Sequence, residues 1–464
     1  TLPAAAAPTP SPQASPTPSP TLAAELPRPQ YTLAASLDYD QHLLSVQETI
    51  TYTHPAQEAL PDLLLVVEPL NYAGVFTLQA LTWEDGQPVA GIAWEGSRGR
   101  IPLPIPLAQG QSVTLHVAYT LNLPNPATFP PGTRPVPFGY SERQTNLVDW
   151  YPYLAAYVPG VGWLAHPPSY YGEHQVYEAS DFSVSLQVVS ARPGLVVAAS
   201  APAEENGAER RYSLTGARAF AFSVSDQYQV FTQEVAGVVV TSYALPLHAA
   251  AGQRALEVTV AALALYSELW GSYPFHSLSV VEADFLDGME YSGLYFLSNG
   301  FYNLYAGSSA DYLTAIAAHE TAHQWWYGMV GSDQALEPWL DEALCTYSER
   351  IYYENEAPEA LDWWWEARVR YYQPSGWVDT TIYNPEGSST PYTSYRDAAY
   401  LNGALFLEEL RTLIGDEAFF TFLKAYAAQS NLHIVPASQF FGILKTFTSQ
   451  DLSPLLIKYF KGFN

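Results

Sequence analysis

Apolar and polar residues alternate over short segments between residues 31 and 247, which is the pattern of half-buried β-strands. The alternation is clearest at residues 44–52, 112–119 and 182–189. Clusters of Pro, Gly, Asn and Asp separate these segments, as turns do. Residues 31–248 therefore predict a domain of antiparallel strands, arranged as a β-sandwich or saddle. The Pro-rich loop at residues 124–153 is long enough to be a candidate for overhanging a site.

Beyond residue 249 the apolar positions recur every three or four residues, which is typical of amphipathic helices. Pro358 suits a first helical turn and Gly415 suits a helix end. The pattern predicts one short strand at residues 277–283 and helices at residues 255–270, 311–328, 337–355, 358–372, 394–414, 416–427 and 438–447. Residues 249–464 thus form a second predicted domain, which is mainly helical with a small sheet.

Length and charge limit the possible functions. A chain of 464 residues exceeds what one hydrophobic core normally serves, so more than one domain is expected. With 19 basic and 46 acidic residues the formal charge is -27, which disfavours nucleic acid and anionic lipid as partners. The charge favours cationic substrates such as peptides with a free amino group, although an acidic surface also serves solubility. No apolar run is long enough to span a membrane.

Residues 1–30 are rich in Pro, Ser, Thr and Ala, and they carry very little charge. Such a segment buries too little apolar surface to offset the entropy of ordering, so we expect a disordered linker. We also expect a signal or an anchor upstream of it. The protein would then be extracytoplasmic, either secreted or tethered to the cell surface. Cys345 is the only cysteine, which excludes an intrachain disulfide and predicts a small buried side chain.

The predicted helix at residues 311–328 contains His319, Glu320 and His323 in a His-Glu-x-x-His string. Residues four apart lie on one helix face, so both imidazoles can bind one metal ion. Glu320 lies beside them, where it can face a water without binding the metal, as zinc hydrolases require. By itself the string is also compatible with two histidines that only pack at the end of a helix.

A catalytic zinc needs a third protein ligand. Glu342 follows His323 after eighteen residues, at the start of the next predicted helix, and two helices with a short connection could bring it to the imidazoles. Other carboxylates are available in this acidic chain, so spacing alone makes Glu342 only the favoured candidate. A closed structural site would need a fourth ligand such as cysteine.

Together these strings resemble the aminopeptidase N family of zinc metallopeptidases, or gluzincin aminopeptidases, and the resemblance extends over residues 31–464. Four motifs occur in the family's order: Asp287-Gly288-Met289-Glu290-Tyr291, His319-Glu-Thr-Ala-His-Gln-Trp-Trp-Tyr-Gly328, Trp339-Leu-Asp-Glu342-Ala-Leu and Tyr400-Leu401-Asn402-Gly403-Ala404. Asp341 and Ala343 replace the family's usual Asn and Gly, Tyr291 replaces an Asn, and Asn402 replaces a Lys. The resemblance implies a β-rich amino-terminal domain and a thermolysin-like, mainly α-helical catalytic domain. It also implies a short form that lacks the family's carboxy-terminal helical domain.

The resemblance assigns a role to each motif residue. It implies that His319, His323 and Glu342 bind one Zn²⁺ per chain and that Glu320 is the general base and then acid. Tyr400 would stabilise the tetrahedral intermediate. The remaining candidates would bind the substrate or orient the ligands: Glu290, Gly288, Met289 and Gln144 around the substrate's amino terminus, and Asp341 and Glu349 behind the ligands. From its position alone, Glu349 could equally be a solvated carboxylate.

The function expected from the sequence is hydrolysis of amino-terminal residues from peptides by a zinc-activated water. Two alternatives remain. One is a catalytically silent peptide-binding module on the peptidase fold, although every chemical position is filled. The other is a zinc hydrolase with a different substrate, acting on an epoxide or as an endopeptidase.

Overall fold

The computed structural model describes residues 27–129, 133, 135–383 and 391–463. The linker predicted at residues 1–30 therefore lies outside the described residues, except for its last four positions. Within the described part of the chain, no helix is both long and apolar enough to cross a membrane.

The first half of the chain is built from strands, as the alternating pattern predicts. Tyr31, Leu33, Ala35 and Leu37 on the first strand point into the core, while the residues between them are exposed. The nineteen strands of this half are β1 (Gln30–Asp38), β2 (Leu43–Thr53), β3 (Leu60–Val66), β4 (Phe76–Trp83), β5 (Ala93–Glu95), β6 (Arg98–Leu107), β7 (Ser112–Asn122), β8 (Gly139–Tyr140), β9 (Thr145–Leu147), β10 (Tyr153–Leu154), β11 (Ala156–Val158), β12 (Gly162–Leu164), β13 (Ser180–Val189), β14 (Val196–Ala199), β15 (Glu204–Asn206), β16 (Glu209–Ala217), β17 (Phe222–Ser225), β18 (Gln229–Val235) and β19 (Val238–Ala244).

These strands form several sheets around one core. The largest has seven strands in the order β15-β16-β13-β1-β2-β7-β4, and its pairs are antiparallel except for β1 with β13. Two four-stranded sheets have the orders β10-β3-β6-β5 and β14-β17-β9-β8, and β11 pairs with β12. Short 3-10 turns lie at Glu68–Asn71 and Pro126–Thr128. The predicted β-rich half is therefore confirmed, with one parallel pair inside it.

The second half is mainly helical, with three more strands near its start. Its elements are α1 (Ala249–Trp270), β20 (Ser277–Ala283), β21 (Gly288–Tyr291), β22 (Leu294–Ser298), α2 (Asn299–Leu304), α3 (Tyr312–Ala322), α4 (Trp339–Glu356), α5 (Leu361–Trp363), α6 (Pro391–Tyr395), α7 (Gly403–Ile414), α8 (Asp416–Gln429), α9 (Ala437–Leu444) and α10 (Ser453–Tyr459). π-helical segments occur at Trp364–Val369 and Arg396–Asn402, and 3-10 turns at Pro246–His248, Pro358–Ala360, Arg370–Tyr372 and Lys461–Phe463.

A five-stranded sheet joins the two halves. Its order is β18-β19-β20-β22-β21, and β19 pairs in parallel with β20 across the intervening helix α1. The strands that precede residue 249 therefore continue the sheet of the helical half. The division of the chain at residue 248 stays a prediction, because strand pairing crosses it.

Helix α3 lies at the centre of the helical half, between α1, α4 and β22. Asp311 begins it, since its side chain accepts a hydrogen bond of 2.7 Å from the backbone N–H of Thr314. Residues 313–322 are all buried, because neighbours cover the helix on every side. The helix ends at His323, five residues before the predicted end. Beyond it, Tyr327 has a φ of 137° and the chain turns away.

Candidate active site

A cavity of about 630 Å³ follows one face of α3. Helix α3 and its final cap line it with Tyr312, Ile316, His319, Glu320 and His323, which are spaced as residues of one helical face. The facing walls come from β21, from the loop before β13, from the start of α4 and from the π-helical segment 396–402. Exposed Leu286 and Leu304 stand among the residues that line the cavity. Pro135 contributes from the long loop that sequence marked as a candidate overhang.

Both imidazoles approach one carboxylate oxygen in this cavity. Nε2 of His319 lies 3.3 Å from Oε2 of Glu342, and Nε2 of His323 lies 3.7 Å from the same oxygen. The donor atoms of a tetrahedral zinc site, each about 2.0–2.2 Å from the metal, lie about 3.3–3.6 Å from one another. Both distances to the Glu342 oxygen are close to this range, so the three side chains are positioned to hold a zinc ion, which would need one further ligand.

Carboxylates on the far side of both imidazoles fix their orientation. Oε1 of Glu349 lies 2.9 Å from Nδ1 of His319, and Oδ1 of Asp341 lies 2.6 Å from Nδ1 of His323. A carboxylate at Nδ1 holds the ring proton there, so the lone pair of Nε2 is available to a metal. Arg368 in turn donates two hydrogen bonds, of 2.8 and 3.0 Å, to Glu349.

Glu320 lies between strand β21 and the imidazoles, with a carboxylate oxygen within 4.8 Å of a ring nitrogen of both His319 and His323. A Cβ atom at Gly288 would lie 1.9 Å from Oε1 of Glu320, so the approach depends on glycine. The other oxygen, Oε2, is buried and has no hydrogen-bond partner among the described residues. Since a buried carboxylate oxygen without a partner is costly, this atom indicates a missing polar ligand such as water.

Two further carboxylates lie at the carboxy-terminal end of α3. Oε1 of Glu290, on β21, lies 4.0 Å from Nδ1 of His323. Gln334 holds both Glu290 and Asp341, because its Nε2 donates to one at 3.3 Å and to the other at 2.6 Å. Glu173, from the loop before β13, lines the cavity beside Met289 and Glu290. This end of the cavity suits a cationic group such as an ammonium.

Tyr400 lies on the opposite side of the imidazoles. Its ring is parallel to that of His319, with an interplanar angle of 7° and centroids 6.1 Å apart. The residue belongs to the π-helical segment 396–402, in a stretch where the sequence predicts an uninterrupted helix. Short π-helical segments are frequent at functional sites. Tyr395 packs edge-on against Tyr400 and lines the same cavity.

Burial and mutual repulsion shape the electrostatics of the cavity. Burial raises the pKa of Glu290 to about 8, with further contributions from Glu173 and Asp341 and an opposing one from His323. Burial likewise raises the pKa of Glu320 and of Glu342 well above the usual carboxyl range. These carboxylates gain a favourable interaction from any cation that binds among them.

The pKa values of Glu349 and His319 are shifted in the opposite direction. Although burial opposes it, the charge of Arg368 lowers the pKa of Glu349 and keeps that carboxylate ionised. Burial lowers the pKa of His319, which favours the neutral imidazole that a metal requires.

Gln144 is not brought to the cavity. Its amide is buried among the strands, where Nε2 donates to the hydroxyl of Tyr228 and to the carbonyl of Glu282 while Oε1 accepts from the backbone of Asp284. The polar atoms of this side chain are thus occupied in joining the β-rich half to β20. The predicted placement of Gln144 beside a substrate is therefore wrong. Glu173, from the same half of the chain, lies in the cavity instead.

Sequence reasoning missed three side chains at or behind the site: Glu173, Gln334 and Arg368. Glu173 has no motif around it and lies 117 positions before Glu290 in the chain. Arg368 lies in a predicted helix. A comparison of its helix face with the face that carries Glu349 could have suggested this ion pair. Gln334 precedes α4 by a few residues, and only its two hydrogen bonds identify it.

Comparison with known proteins places the site in a family. The model of the peptidase family M1 domain matches residues 254–459, which include Glu290, Glu320 and Tyr400. Endoplasmic reticulum aminopeptidase 1 of Mus musculus is 28% identical over 213 residues, and aminopeptidase M1-A of Oryza sativa subsp. japonica is 26% identical over 223 residues. The alignments cover 43% of this chain but 23% and 24% of those relatives, so the chain matches about a quarter of their length.

Solved structures resemble the chain over a greater length. A mutant of the M1 zinc metallopeptidase from Deinococcus radiodurans superposes with a TM-score of 0.64 at 20% identity and covers 95% of both chains. The same protein bound to a Tyr-Ser-Ala substrate gives 0.64 at 19% identity and 94% coverage. The order of a β-rich half followed by a helical half is thereby confirmed. The match of the family model to residues 254–459 also confirms the resemblance predicted from the four motifs.

Proposed function

We propose that this protein is a zinc-dependent aminopeptidase that removes amino-terminal residues from peptides. The observation that carries the proposal is the pairing of two features in one cavity. Nε2 of His319 and Nε2 of His323 lie 3.3 and 3.7 Å from Oε2 of Glu342, and Glu290 and Glu173 line the same cavity. The second feature supports recognition of a free amino terminus next to the cleaved bond.

Each side chain then has a defined task. A zinc ion held by His319, His323 and Glu342, one per chain, would polarise the scissile carbonyl and lower the pKa of a water. Glu320 accepts a proton from the attacking water at Oε2 and returns it to the leaving nitrogen.

Two further side chains position the substrate. Glu290 accepts hydrogen bonds from the substrate ammonium, while Gly288 and Met289 form the strand beside the peptide. That contact fixes how far into the peptide the cut falls. The hydroxyl of Tyr400 donates to the carbonyl oxygen as negative charge develops on it.

The proposed setting follows from composition. We propose an extracytoplasmic location, in which residues 1–30 act as a linker to a secreted or surface-tethered protein. Its partners would be peptides with a free amino terminus. The formal charge of -27 makes nucleic acid an unfavourable partner.

The proposal is tested with zinc-loaded protein and two substrates, leucine 4-nitroanilide and its N-acetylated form. The wild type should release nitroaniline only from the free amine. Glu320→Gln should lose at least about a hundredfold in kcat because the proton acceptor is removed, and its zinc content should stay at one equivalent.

Three results would contradict the proposal. Equal cleavage of the acetylated substrate would remove Glu290 from its role and favour an endopeptidase. Absence of turnover in the wild type, with zinc and peptides still bound, would favour a silent binding module. Hydrolysis of an epoxide without any peptide cleavage would indicate the remaining alternative.

A further inference from the structure

The cavity is lined by several carboxylates and by two arginines. The carboxylates of Glu290 and Glu173 lie at the His323 end of α3. Among the described residues that line the cavity, the cationic ones apart from histidine are Arg368 and Arg396. Their positions within the cavity, and the hydrogen bonds that each already makes, indicate which of them is able to bind a substrate.

Arg368 is committed to a neighbour inside the protein. Its Nε and Nη2 both donate to Glu349, and its side chain is only 8% exposed. Because Glu349 orients His319, Arg368 helps to position this proposed metal ligand and is not available to bind a substrate.

Arg396 is arranged differently. Its Nε and Nη2 donate to a single oxygen of the adjacent Asp397, at 3.0 and 2.6 Å. Its Nη1 has no acceptor among the described residues, and the side chain is 20% exposed. The guanidinium stacks over the ring of Tyr372, 3.9 Å from its centroid, which holds it in place at the cavity wall. A guanidinium with a free edge in this arrangement is suited to bind a carboxylate.

The position of Arg396 along the cavity follows from Tyr372. The hydroxyl of Tyr372 lies 2.9 Å from that of Tyr312, in the first turn of α3. Tyr312 precedes His323 by eleven residues, which corresponds to about 16 Å along a helix that rises about 1.5 Å per residue. Tyr372, on which Arg396 stacks, therefore contacts the end of α3 opposite His323, and the length of helix between these ends would match about five residues of extended peptide.

Both guanidinium groups also act on Tyr392, which lines the same end of the cavity. Burial and Asp287 raise the pKa of Tyr392 to about 12, and the charges of Arg396 and Arg368 partly oppose this rise.

We propose that Arg396 binds a substrate carboxylate at the third to fifth residue, on the far side of the cleaved bond from Glu290. This inference rests on the proposed aminopeptidase function and extends it to substrate choice. The carboxylate is either the carboxy terminus of a short peptide or an Asp or Glu side chain at the same distance in a longer one. A peptide held at its ammonium and at this carboxylate is aligned along α3 at both ends.

Calorimetry on the zinc-loaded Glu320→Gln protein tests the proposal without turnover. The probes are peptides of leucine followed by one to five alanines, each as the free acid and as the carboxy-terminal amide. The acid should bind at least about tenfold more tightly than the amide at lengths of three to five residues, with no such difference at two. A longer amidated peptide with aspartate at position four should regain the affinity if Arg396 also binds a side-chain carboxylate. It should not regain the affinity if Arg396 binds only the carboxy-terminal carboxylate.

Variants assign the effect to Arg396. Adding Arg396→Gln should bring the acid-to-amide ratio close to one, and Arg396→Lys should restore part of it. The matched control is Arg370→Gln, which removes a nearby exposed arginine that does not line the cavity and should keep the wild-type ratio.

Two outcomes would overturn the inference. One is equal binding of acids and amides at every length. The other is an acid-to-amide ratio that is unchanged in Arg396→Gln, since another residue would then bind the carboxylate. Hydrolysis of leucine 4-nitroanilide by the wild type is measured in parallel. Its failure would refute the proposed function, whereas a lost acid preference with intact hydrolysis would refute only this inference.

Discussion

Glycine at position 288 is required by space and not by backbone conformation. Strand β21 is fixed by its pairing with β22, so the strand cannot retreat from α3. An alanine Cβ there would lie 1.9 Å from Oε1 of Glu320, and the carboxylate would have to move. We expect Gly288→Ala to lower kcat for aminoacyl nitroanilides about a hundredfold, because displacement of a catalytic group by about 1 Å has effects of that size.

Steady-state kinetics and zinc content measure this effect together. The zinc content should stay at the wild-type level, since no ligand is touched. Gly442→Ala is the matched control, because a Cβ at Gly442 on α9 meets nothing within 4 Å. Wild-type kcat in Gly288→Ala would show that Glu320 does not depend on this contact.

Glu48 is a buried carboxyl far from the cavity. It lies on β2 between Leu33 and Val117, is 2% exposed, and neither of its oxygens has a hydrogen-bond partner among the described residues. Burial raises the pKa of Glu48 well above its usual value. The folded state therefore keeps a proton that the unfolded state releases near pH 4.3, and stability falls as the pH rises above that value.

Thermal unfolding between pH 5 and pH 8 tests this expectation. Glu48→Gln should raise the melting temperature at pH 8 by clearly more than at pH 5. The reason is that the neutral amide does not ionise in the unfolded state, whereas the glutamate does. The exposed Glu234 on β18 supplies the control, and Glu234→Gln should show no such trend. A pH-independent difference between Glu48→Gln and the wild type would mean that Glu48 has the same pKa in the folded and unfolded states, as a solvated carboxylate would.

At the scale of elements, one arginine from the β-rich half holds the turn that follows α3. Arg218 follows β16 and is 2% exposed. Its guanidinium donates to five backbone carbonyls, those of Tyr177, Tyr327, Gly328, Met329 and His433. This turn fixes where α3 ends, and therefore where His323 faces the cavity.

We expect Arg218→Met to destabilise the protein by at least about 3 kcal/mol, because buried carbonyls lose their donors and each costs about 1–3 kcal/mol. Calorimetric or fluorescence melting measures the loss. Arg192→Met removes an exposed arginine with longer ion pairs, of 3.6 Å, and should cost less than about 1 kcal/mol. Similar losses of stability in the two variants would show that Arg218 does not hold the turn after α3.

At the scale of the whole molecule, local features were predictable and distant ones were not. The His319–His323 pair depends only on helical spacing, and Glu342 lies one short connection away. The end of α3 was predicted five residues too late, because the turn that follows the helix is held by Arg218. That arginine lies 105 residues before His323 in the sequence. Tertiary contacts of this kind override the local apolar pattern.

The amine-binding end of the site shows the same limit. Glu290 was predicted because it sits in a motif, whereas Glu173 enters the cavity only through the packing of the β-rich half against α3. Gln144 was chosen from that half by analogy, and its buried amide instead joins strands. The π-helical segment around Tyr400 also could not be predicted, because its residues follow an ordinary helical pattern.

The carboxylates around α3 connect metal binding to the stability of the whole protein. His319 and His323 belong to α3 and Glu342 to α4, so a bound ion joins two helices and offsets the repulsion among Glu290, Glu320 and Glu342. A ligand present at a hundredfold excess over its Kd stabilises the folded state by about 2.7 kcal/mol. We therefore expect chelation of zinc to lower the melting temperature by about 3 °C, and added zinc to restore it.

Substitution of a ligand should remove this dependence while the protein stays folded. Glu342→Gln should melt at the same temperature with and without zinc, because one of the three donors has become a neutral amide of low metal affinity. Glu337→Gln changes a carboxylate five positions earlier that only accepts a hydrogen bond from the backbone of Ala437, so its response to zinc should match the wild type. A zinc response retained in Glu342→Gln would mean that another carboxylate completes the site, and Glu320 would then be the first to examine, since one of its oxygens lies within 4.8 Å of a ring nitrogen of both histidines.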